Sequence, residues 1–323
     1  MEPTSLQEAI IYFADPKNCR EYLVARRWPD GVTCPRCNSK NVLFLEKYNR
    51  WHCREKHDAP QFTLKTQTIF EDSPISLDKW LTAMWMLCNC KNGVSSWEIH
   101  RTLKVTQKSA WFMLGRLRLA LQDKHSGGKL GGTVEIDETF IGGKARNMHK
   151  AKRRRLSDGI GMQGGHGKTV VIGALERGGK VKARVIGDRK YPAVHGAVRD
   201  FVEGGSAIMT DEFNAYLGLA AEYRHQFVNH LEKYVDGQVH TQGMENFWSL
   251  LKRGLGGTYV AVEPFHLFRY VDEQAFRFNN RATKDNPLND SDRFDAAVRQ
   301  IVGKRLTYKE LTGKDAERPA QAF

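Results

Sequence analysis

A pair of closely spaced cysteines near the start of the chain constrains the fold more than any other sequence feature. Cys34 and Cys37 form a C-x2-C knuckle, and Cys53 follows after 15 intervening residues. Six cysteines in 323 residues are too few for a disulfide framework, so the cluster indicates metal binding. Zn²⁺ takes thiolate and imidazole ligands in a tetrahedron, and this spacing suits it. A zinc ribbon is predicted here, with the metal supplying stability rather than chemistry.

The fourth zinc ligand is less obvious from the spacing. A second C-x2-C knuckle requires a cysteine at position 56, which Lys56 occupies. His57 lies one residue further on and completes a C-x3-H pair with Cys53, so it is the preferred ligand. His52 and a degenerate site without metal are the alternatives.

Three helices with the layout of a helix-turn-helix are predicted after the ribbon. Apolar residues at helical spacing indicate a first helix from Leu77 to Trp85. Ser95 and Glu98 form a capping box that begins a second helix. A short turn then leads into a third helix at Gln107.

The third helix is the candidate for DNA recognition. Gln107, Lys108 and Ser109 stand at its start, where side chains meet base edges, and Arg116 and Arg118 follow at its basic end, where phosphate contact is expected. An ordinary three-helix bundle with a solvated basic face is the alternative.

A second domain is predicted after the glycine-rich linker of residues 126–132, because the hydrophobic period changes there from helical to alternating. Alternation places Asp137 on the opposite face of a strand from Val134 and Ile136. Two further strands, a helix and a short strand ending at Asp211 are expected, which is the ribonuclease-H-like order. The predicted elements span residues 133–140, 169–175, 180–186, 193–202 and 207–210.

Three acids from separate elements of this domain are the candidate catalytic residues: Asp137, Asp211 and Glu245. Phosphodiester chemistry by two divalent metals needs acidic oxygen ligands, and Mg²⁺ or Mn²⁺ is the expected active-site cofactor. Glu245 lies on a predicted helix, near one face with Trp248 and Lys252. Three further acids are close enough in sequence to be mistaken for ligands: Glu135, Glu138 and Glu212.

The balance of charge favours a polyanionic partner. Lys and Arg number 50 against 37 Asp and Glu, a formal net charge of +13, so nucleic acid is the first partner expected. Residues 144–168 carry eight Lys or Arg and one acid, and a DNA-phosphate clamp is predicted there, with a solvated loop as the alternative. The densest run of this segment is Lys152, Arg153, Arg154 and Arg155.

The sequence begins without a basic and apolar leader, and no apolar run approaches the roughly 18 residues of a membrane span. A cytoplasmic, nucleoid-associated protein without a membrane partner is expected.

Five segments of the chain carry a family resemblance: Arg27–Cys37, Thr68–Pro74, Val134–Lys144, Thr210–Asp211 and His240–Arg253. In these segments the chain resembles the insertion-sequence transposases with an N-terminal zinc ribbon and a DDE catalytic domain, the ISXO-like group. The resemblance implies that Asp137, Asp211 and Glu245 are the DDE triad and that Lys252 contacts transposon-end DNA. Arg253 is a further candidate DNA contact, because it adds positive charge beside Lys252.

The expected protein is thus a multidomain α/β transposase that binds transposon ends and target DNA, and that cleaves and transfers strands by a two-metal mechanism. Four parts are predicted: an N-terminal helix and ribbon (1–70), a helix-turn-helix domain (71–125), a ribonuclease-H-like catalytic domain (126–285) and a tail (286–323). Synapsis of two ends requires a homodimer or a larger assembly. A domesticated DNA-binding regulator and a nuclease of the same fold without strand transfer are the alternatives.

Overall fold

The computed structural model describes residues 2–122, 128–143, 168–211, 213–228, 240–284 and 286–313. These residues form two compact units. The first combines the residues up to 122 with those from 280 onward, and the second contains those from 128 to 279. None of the described helices is long and apolar enough to cross a bilayer.

The ribbon of the first unit is a small antiparallel sheet in the order β1-β2-β3. Its apolar cover is aromatic: Trp51 on the central strand stacks on Phe62 with ring centroids 5.8 Å apart, and Trp28 packs edge-on against both. Two helices precede this sheet. The elements are α1 (Leu6–Phe13), α2 (Pro16–Arg27), β1 (Val42–Leu45), β2 (Arg50–Cys53) and β3 (Gln61–Phe62).

Three helices follow at the positions that the sequence predicts. The second begins with the expected capping box, because Ser95 and Glu98 each accept a hydrogen bond from the other's backbone N–H group. Thr106 caps the third helix by accepting from the Ser109 N–H group. These helices are α3 (Leu77–Asn89), α4 (Ser96–Leu103) and α5 (Gln107–Leu121).

The C-terminal residues belong to the first unit and not to a separate tail, which differs from the four-part division. Helix α9 (Asp290–Val298) carries Phe294, which is fully buried 4.9 Å from the ring centroid of Trp85 and 5.7 Å from that of Phe13. Helix α10 (Tyr308–Thr312) lies against α5, where Leu311 methyl groups occupy the space beside Gly115. The C-terminal segment therefore completes the core of the first unit.

Most of helix α5 is buried, so its full length cannot serve as a recognition helix. Its residues from Ala110 onward are largely buried, including Arg116 (7% exposed) and Arg118 (3% exposed). Arg116 donates hydrogen bonds to the carbonyl oxygens of Leu306, Ile69 and Glu71. The prediction that Arg116 and Arg118 contact DNA phosphate is therefore wrong, since burial withdraws both from solvent and Arg116 satisfies loop carbonyls instead.

The second unit is built on a mixed five-stranded sheet with the order β6-β5-β4-β7-β8 in its described residues. Strands β4, β5 and β6 pair antiparallel, whereas β7 and β8 run parallel to β4. The predicted strands are confirmed, and β8 was not expected. The elements are β4 (Thr133–Ile141), β5 (Thr169–Glu176), β6 (Val181–Ile186), α6 (Tyr191–Phe201), β7 (Ala207–Asp211), β8 (Arg224–Val228), α7 (Gln242–Gly254) and α8 (Leu267–Asn279).

Each face of this sheet has its own core. Val134 and Ile136 of β4 face α6, as the alternation predicts. On the other face, α7 packs closely over β5 at Gly173, where an added Cβ would lie 2.5 Å from Met244 Cε and 2.9 Å from Trp248 Cη2. Gly173 is the register partner of Asp137, so the missing side chain brings α7 down onto the strand that carries this acid.

Candidate active site and metal sites

Two of the predicted catalytic acids stand side by side in the sheet. The parallel register pairs Val134 with Ile208 and Glu135 with Met209. Asp137 and Asp211 come two residues further along the same two strands. The charge of Asp211 acts on Asp137 at this separation, because it contributes to raising the pKa of Asp137.

Asp137 accepts hydrogen bonds from neutral donors. Trp248 Nε1 of α7 donates to Asp137 Oδ2 over 3.0 Å, and the Glu138 N–H group donates to Oδ1 over 2.8 Å. Burial, followed by the neighbouring charges of Glu138 and Asp211, raises the pKa of Asp137 to about 7. These effects outweigh the two hydrogen bonds, so ionised Asp137 is held at a free-energy cost.

Glu245 lies in the first turn of α7, three residues before Trp248, and it is exposed. The helix that carries it is thus joined to Asp137 through the Trp248 hydrogen bond. Within the described part of the chain, however, Asp137, Asp211 and Glu245 do not form a group of ligand atoms close enough to hold a metal ion, as the ribbon residues do.

Two of the three neighbouring acids, Glu135 and Glu138, have other partners. Glu135 is 2% exposed and accepts from Arg177 Nε over 3.0 Å. Glu138 accepts from the Arg189 guanidinium and from the Tyr216 hydroxyl. Glu212 lies outside the described residues. The spacing of two residues predicts that Glu135 and Asp137 lie on the same face of β4. It does not predict the partner of Glu135, because Arg177 is 42 residues away in sequence.

The ribbon brings together Cys34, Cys37, Cys53 and His57, whose ligand atoms all lie within 4.8 Å of one another. Cys34 Sγ is 3.5 Å from His57 Nε2, and Cys37 Sγ is 3.6 Å from Cys53 Sγ. A tetrahedron with Zn–S bonds of about 2.3 Å has sulfurs about 3.8 Å apart, so the set fits Zn²⁺. His52 is not a member of this group.

The ring of His57 is also oriented for metal binding. Its Nδ1 lies 2.8 Å from the Asp58 carbonyl oxygen, which accepts a hydrogen bond from a protonated Nδ1. That tautomer leaves the Nε2 lone pair facing the thiolates, as metal-ligating histidines require.

Two protein-family models match this chain, one in each unit. Residues 129–279 match the family described as ISXO2-like transposase domain, and residues 15–55 match the transposase zinc-ribbon domain. The chain thus carries an ISXO2-like transposase domain, preceded by a transposase zinc ribbon. This domain supports, at the level of the family, a transposase that cleaves and transfers DNA.

A curated relative of this transposase is an uncharacterized protein in transposable element ISH50 of Halobacterium salinarum. The two are 26% identical over 263 residues, which cover 75% of this chain and 84% of the relative. Among solved structures, this chain is similar to a chain of the simian T-cell lymphotropic virus intasome in complex with PP2A regulatory subunit B56 gamma. That match has a TM-score of 0.32 and 11% identity, covering 65% of this chain and 74% of the other.

The predicted DNA-contacting residues of the transposase differ in accessibility. Lys252 and Arg253 are exposed on the last turn of α7. On the first turn of α5, Lys108 is exposed with its ammonium 4.8 Å from the ring centroid of Tyr308. Gln107 donates to Ser96 Oγ, and Ser109 Oγ accepts from Thr106. The basic run Lys152, Arg153, Arg154 and Arg155 lies outside the described residues.

Replacement of His57 by alanine should abolish tight zinc binding, because it removes one of the four converging ligand atoms. Cys37→Ser should do the same, and His52→Ala is the matched control that keeps about one zinc ion per chain. Zinc content is measured on purified protein after dialysis against a competing chelator. Full zinc in His57→Ala, or its loss in His52→Ala, would contradict the ligand set.

Asp137→Asn should stabilise the protein when no Mg²⁺ or Mn²⁺ is present. The raised pKa means that folding disfavours the ionised acid, so the penalty is absent below the unfolded pKa near 3.8 and complete above about 7. The gain at pH 8 is at most about 4 kcal/mol and falls to less than about half of that at pH 5. Urea unfolding of zinc-loaded protein at both pH values measures it, with the exposed Asp200→Asn as control. A gain that does not depend on pH would contradict the assignment.

Proposed function

We propose that this transposase uses Asp137, Asp211 and Glu245 to hold divalent Mg²⁺ or Mn²⁺, cleaves DNA at transposon ends and transfers the freed 3′ end to target DNA. The observation that carries the proposal is the placement of Asp137 and Asp211 on adjacent parallel strands, with the helix of Glu245 fastened to Asp137 by Trp248. The match of residues 129–279 to the ISXO2-like transposase domain supports the reaction class.

The topology of the second unit supports a ribonuclease-H-like assignment. Three antiparallel strands, a helix and two further strands parallel to the first are the order expected of that fold. The candidate acids then occupy the central strand, its parallel neighbour and a helix packed on the same face.

The candidate metal ligands differ from the neighbouring acids in the charge of their hydrogen-bond donors. Among the described residues, the donors to Asp137 and Asp211 are neutral: an indole N–H group and backbone N–H groups of Glu138 and Phe213. Glu135 and Glu138 instead pair with arginines. Oxygen ligands with uncompensated charge are those that hard divalent cations prefer, so the first pair fits the metal.

Bound metal ions would activate the attacking hydroxyl and stabilise the leaving oxygen. The protein's own residues hold the ligands in place: Trp248 orients one oxygen of Asp137, and the Phe213 N–H group holds one oxygen of Asp211 over 3.2 Å. We assign Lys252 and Arg253, exposed on the last turn of α7, to contact with DNA phosphates. Water and then the new 3′ hydroxyl are the successive nucleophiles, so no covalent protein intermediate is needed.

End recognition is assigned to the first unit, in a narrower form than the sequence indicated. Lys108, the exposed residue of the first turn of α5, remains available to DNA, whereas the buried Arg116 and Arg118 do not. We assign further phosphate contact to the run Lys152–Arg155. Two ends must be held together for transfer, so the active species is a homodimer or a larger assembly.

A strand-transfer assay on DNA carrying the transposon ends tests the proposal. Wild-type protein should bind the DNA without Mg²⁺ and should join it to a target plasmid when Mg²⁺ or Mn²⁺ is added. Asp137→Asn and Glu245→Gln should each reduce joining by at least about a thousandfold, since removing one ligand disrupts stabilisation worth several kcal/mol. Glu222→Gln, an exposed acid of the same unit that pairs with Arg199, is the matched control.

The assay separates the competing functions. Cleavage without joining would indicate the nuclease, and binding without either reaction would indicate the regulator. Joining that survives in Glu245→Gln would show that the third ligand is misassigned.

A further inference from the structure

Glu135 is a buried carboxylate next to the active site that no step of the reaction uses. It is 2% exposed and stands two residues before Asp137, on the same face of β4. Burying a carboxylate is costly unless it is paired and hydrogen-bonded. The partners of Glu135 therefore show what the residue does.

One oxygen of Glu135 caps the helix of Glu245. The N–H groups of Gly243 and Met244, in the first turn of α7, donate to Oε2 over 2.7 Å and 3.1 Å. The first N–H groups of a helix have no partner within the helix, and its N-terminus carries partial positive charge, so a buried carboxylate is bound firmly there.

The other oxygen fastens the segment that enters this helix. Arg177 Nε donates to Glu135 Oε1 over 3.0 Å, and His240 Nδ1 lies 3.3 Å from the same oxygen. Arg177 also donates through Nη2 to the His240 carbonyl oxygen over 3.0 Å. Glu135, Arg177 and His240 together form what we call the α7 clasp.

The clasp requires close approach of the backbone. A Cβ added at Gly243 would lie 2.8 Å from Glu135 Oε2 and 2.3 Å from Leu175 Cδ2. A side chain at this position would thus push the first turn of α7 away from the sheet. Glu245 is two residues further along that turn.

We propose that Glu135 is a positioning residue that fixes the start of α7 against β4 and thereby sets where Glu245 stands relative to Asp137. Trp248 fixes the same helix one turn later, so the two contacts define its position along the strand. This inference rests on the proposed role of Glu245 as a metal ligand. Mutation of a residue that holds a metal ligand in place commonly weakens metal affinity by about 10- to 100-fold.

The test is Mn²⁺ binding to the full-length, zinc-loaded protein, measured by electron paramagnetic resonance of the free ion. Glu245→Gln first identifies the binding that depends on Glu245. Glu135→Gln, which removes the charge but keeps the size, should weaken that same binding about 10- to 100-fold and leave the remaining binding within about twofold. Glu222→Gln is again the control.

Hydrogen exchange gives a second readout on the same proteins. Amides of Gly243 and Met244 should exchange faster in Glu135→Gln, whereas amides of β5 should not. If Glu135→Gln does not fold, Arg177→Gln, whose side chain is 24% exposed, should show the same two effects in weaker form.

The outcomes distinguish the positioning claim from the proposed function. Faster exchange at the start of α7 with wild-type Mn²⁺ affinity would make Glu135 a structural cap only and overturn the inference. If Glu135→Gln weakened the Glu245-dependent and the remaining Mn²⁺ binding equally, the inference would also be overturned, because the effect would not act through Glu245. Wild-type Mn²⁺ binding that is insensitive to Asp137→Asn and Glu245→Gln would instead contradict the proposed function.

Discussion

Three carboxylates on one central strand impose the constraint on which the second unit depends. Glu135, Asp137 and Glu138 lie within four residues of β4, and burying acids so closely costs free energy unless each finds donors. Glu135 and Asp137 both find donors on α7, at its first turn and at Trp248, whereas Glu138 finds them at Arg189 and Tyr216. Satisfying these acids therefore holds the sheet and its covering elements together.

The hydrogen-bond partners of these acids distinguish the ones with a structural role from the proposed metal ligands. Arginines neutralise Glu135 and Glu138, which makes them poor ligands for a cation. Asp137 receives neutral donors and keeps a raised pKa, so its charge is left for another partner. A site arranged in this way loses stability in the absence of metal, and active sites commonly retain such a cost because the reaction requires the charge.

The first unit uses much of its positive charge internally. Arg27 donates to the carbonyl oxygens of Leu64 and Thr66, and Lys65 donates to those of Ser73 and Ile75. Arg116 acts in the same way on the following loop. The net charge of +13 correctly favours a nucleic acid, but a count of basic residues overstates the surface that faces DNA.

Local patterns predicted the elements well, because capping, alternation and ligand spacing are short-range properties. Examples are the capping box at Ser95, the strand of Asp137 and the convergence of His57 with the cysteines. The failures were long-range. Arg116 reads as a surface cation in sequence, yet one of its acceptors, Leu306, is 190 residues away.

The missed elements have the same explanation. Strand β8 is a short segment, Arg224–Val228, with polar residues that do not alternate clearly. The final helices looked like a free tail because the core that they complete is contributed by residues such as Phe13 and Trp85, far away in sequence. The role of Glu135 could not be predicted either, since it depends on the close packing of α7 that two glycines allow.

The central claim is that the acids without cationic partners are the metal ligands and that the paired acids are not. Anomalous diffraction from crystals of the protein with transposon-end DNA and Mn²⁺ tests it most directly. The account predicts two Mn²⁺ peaks about 3.5 to 4 Å apart, bound by Asp137, Asp211 and Glu245, with Glu135 and Glu138 still on their arginines. Mn²⁺ bound by Glu135 or Glu138, or no ion between Asp137 and Asp211, would contradict it.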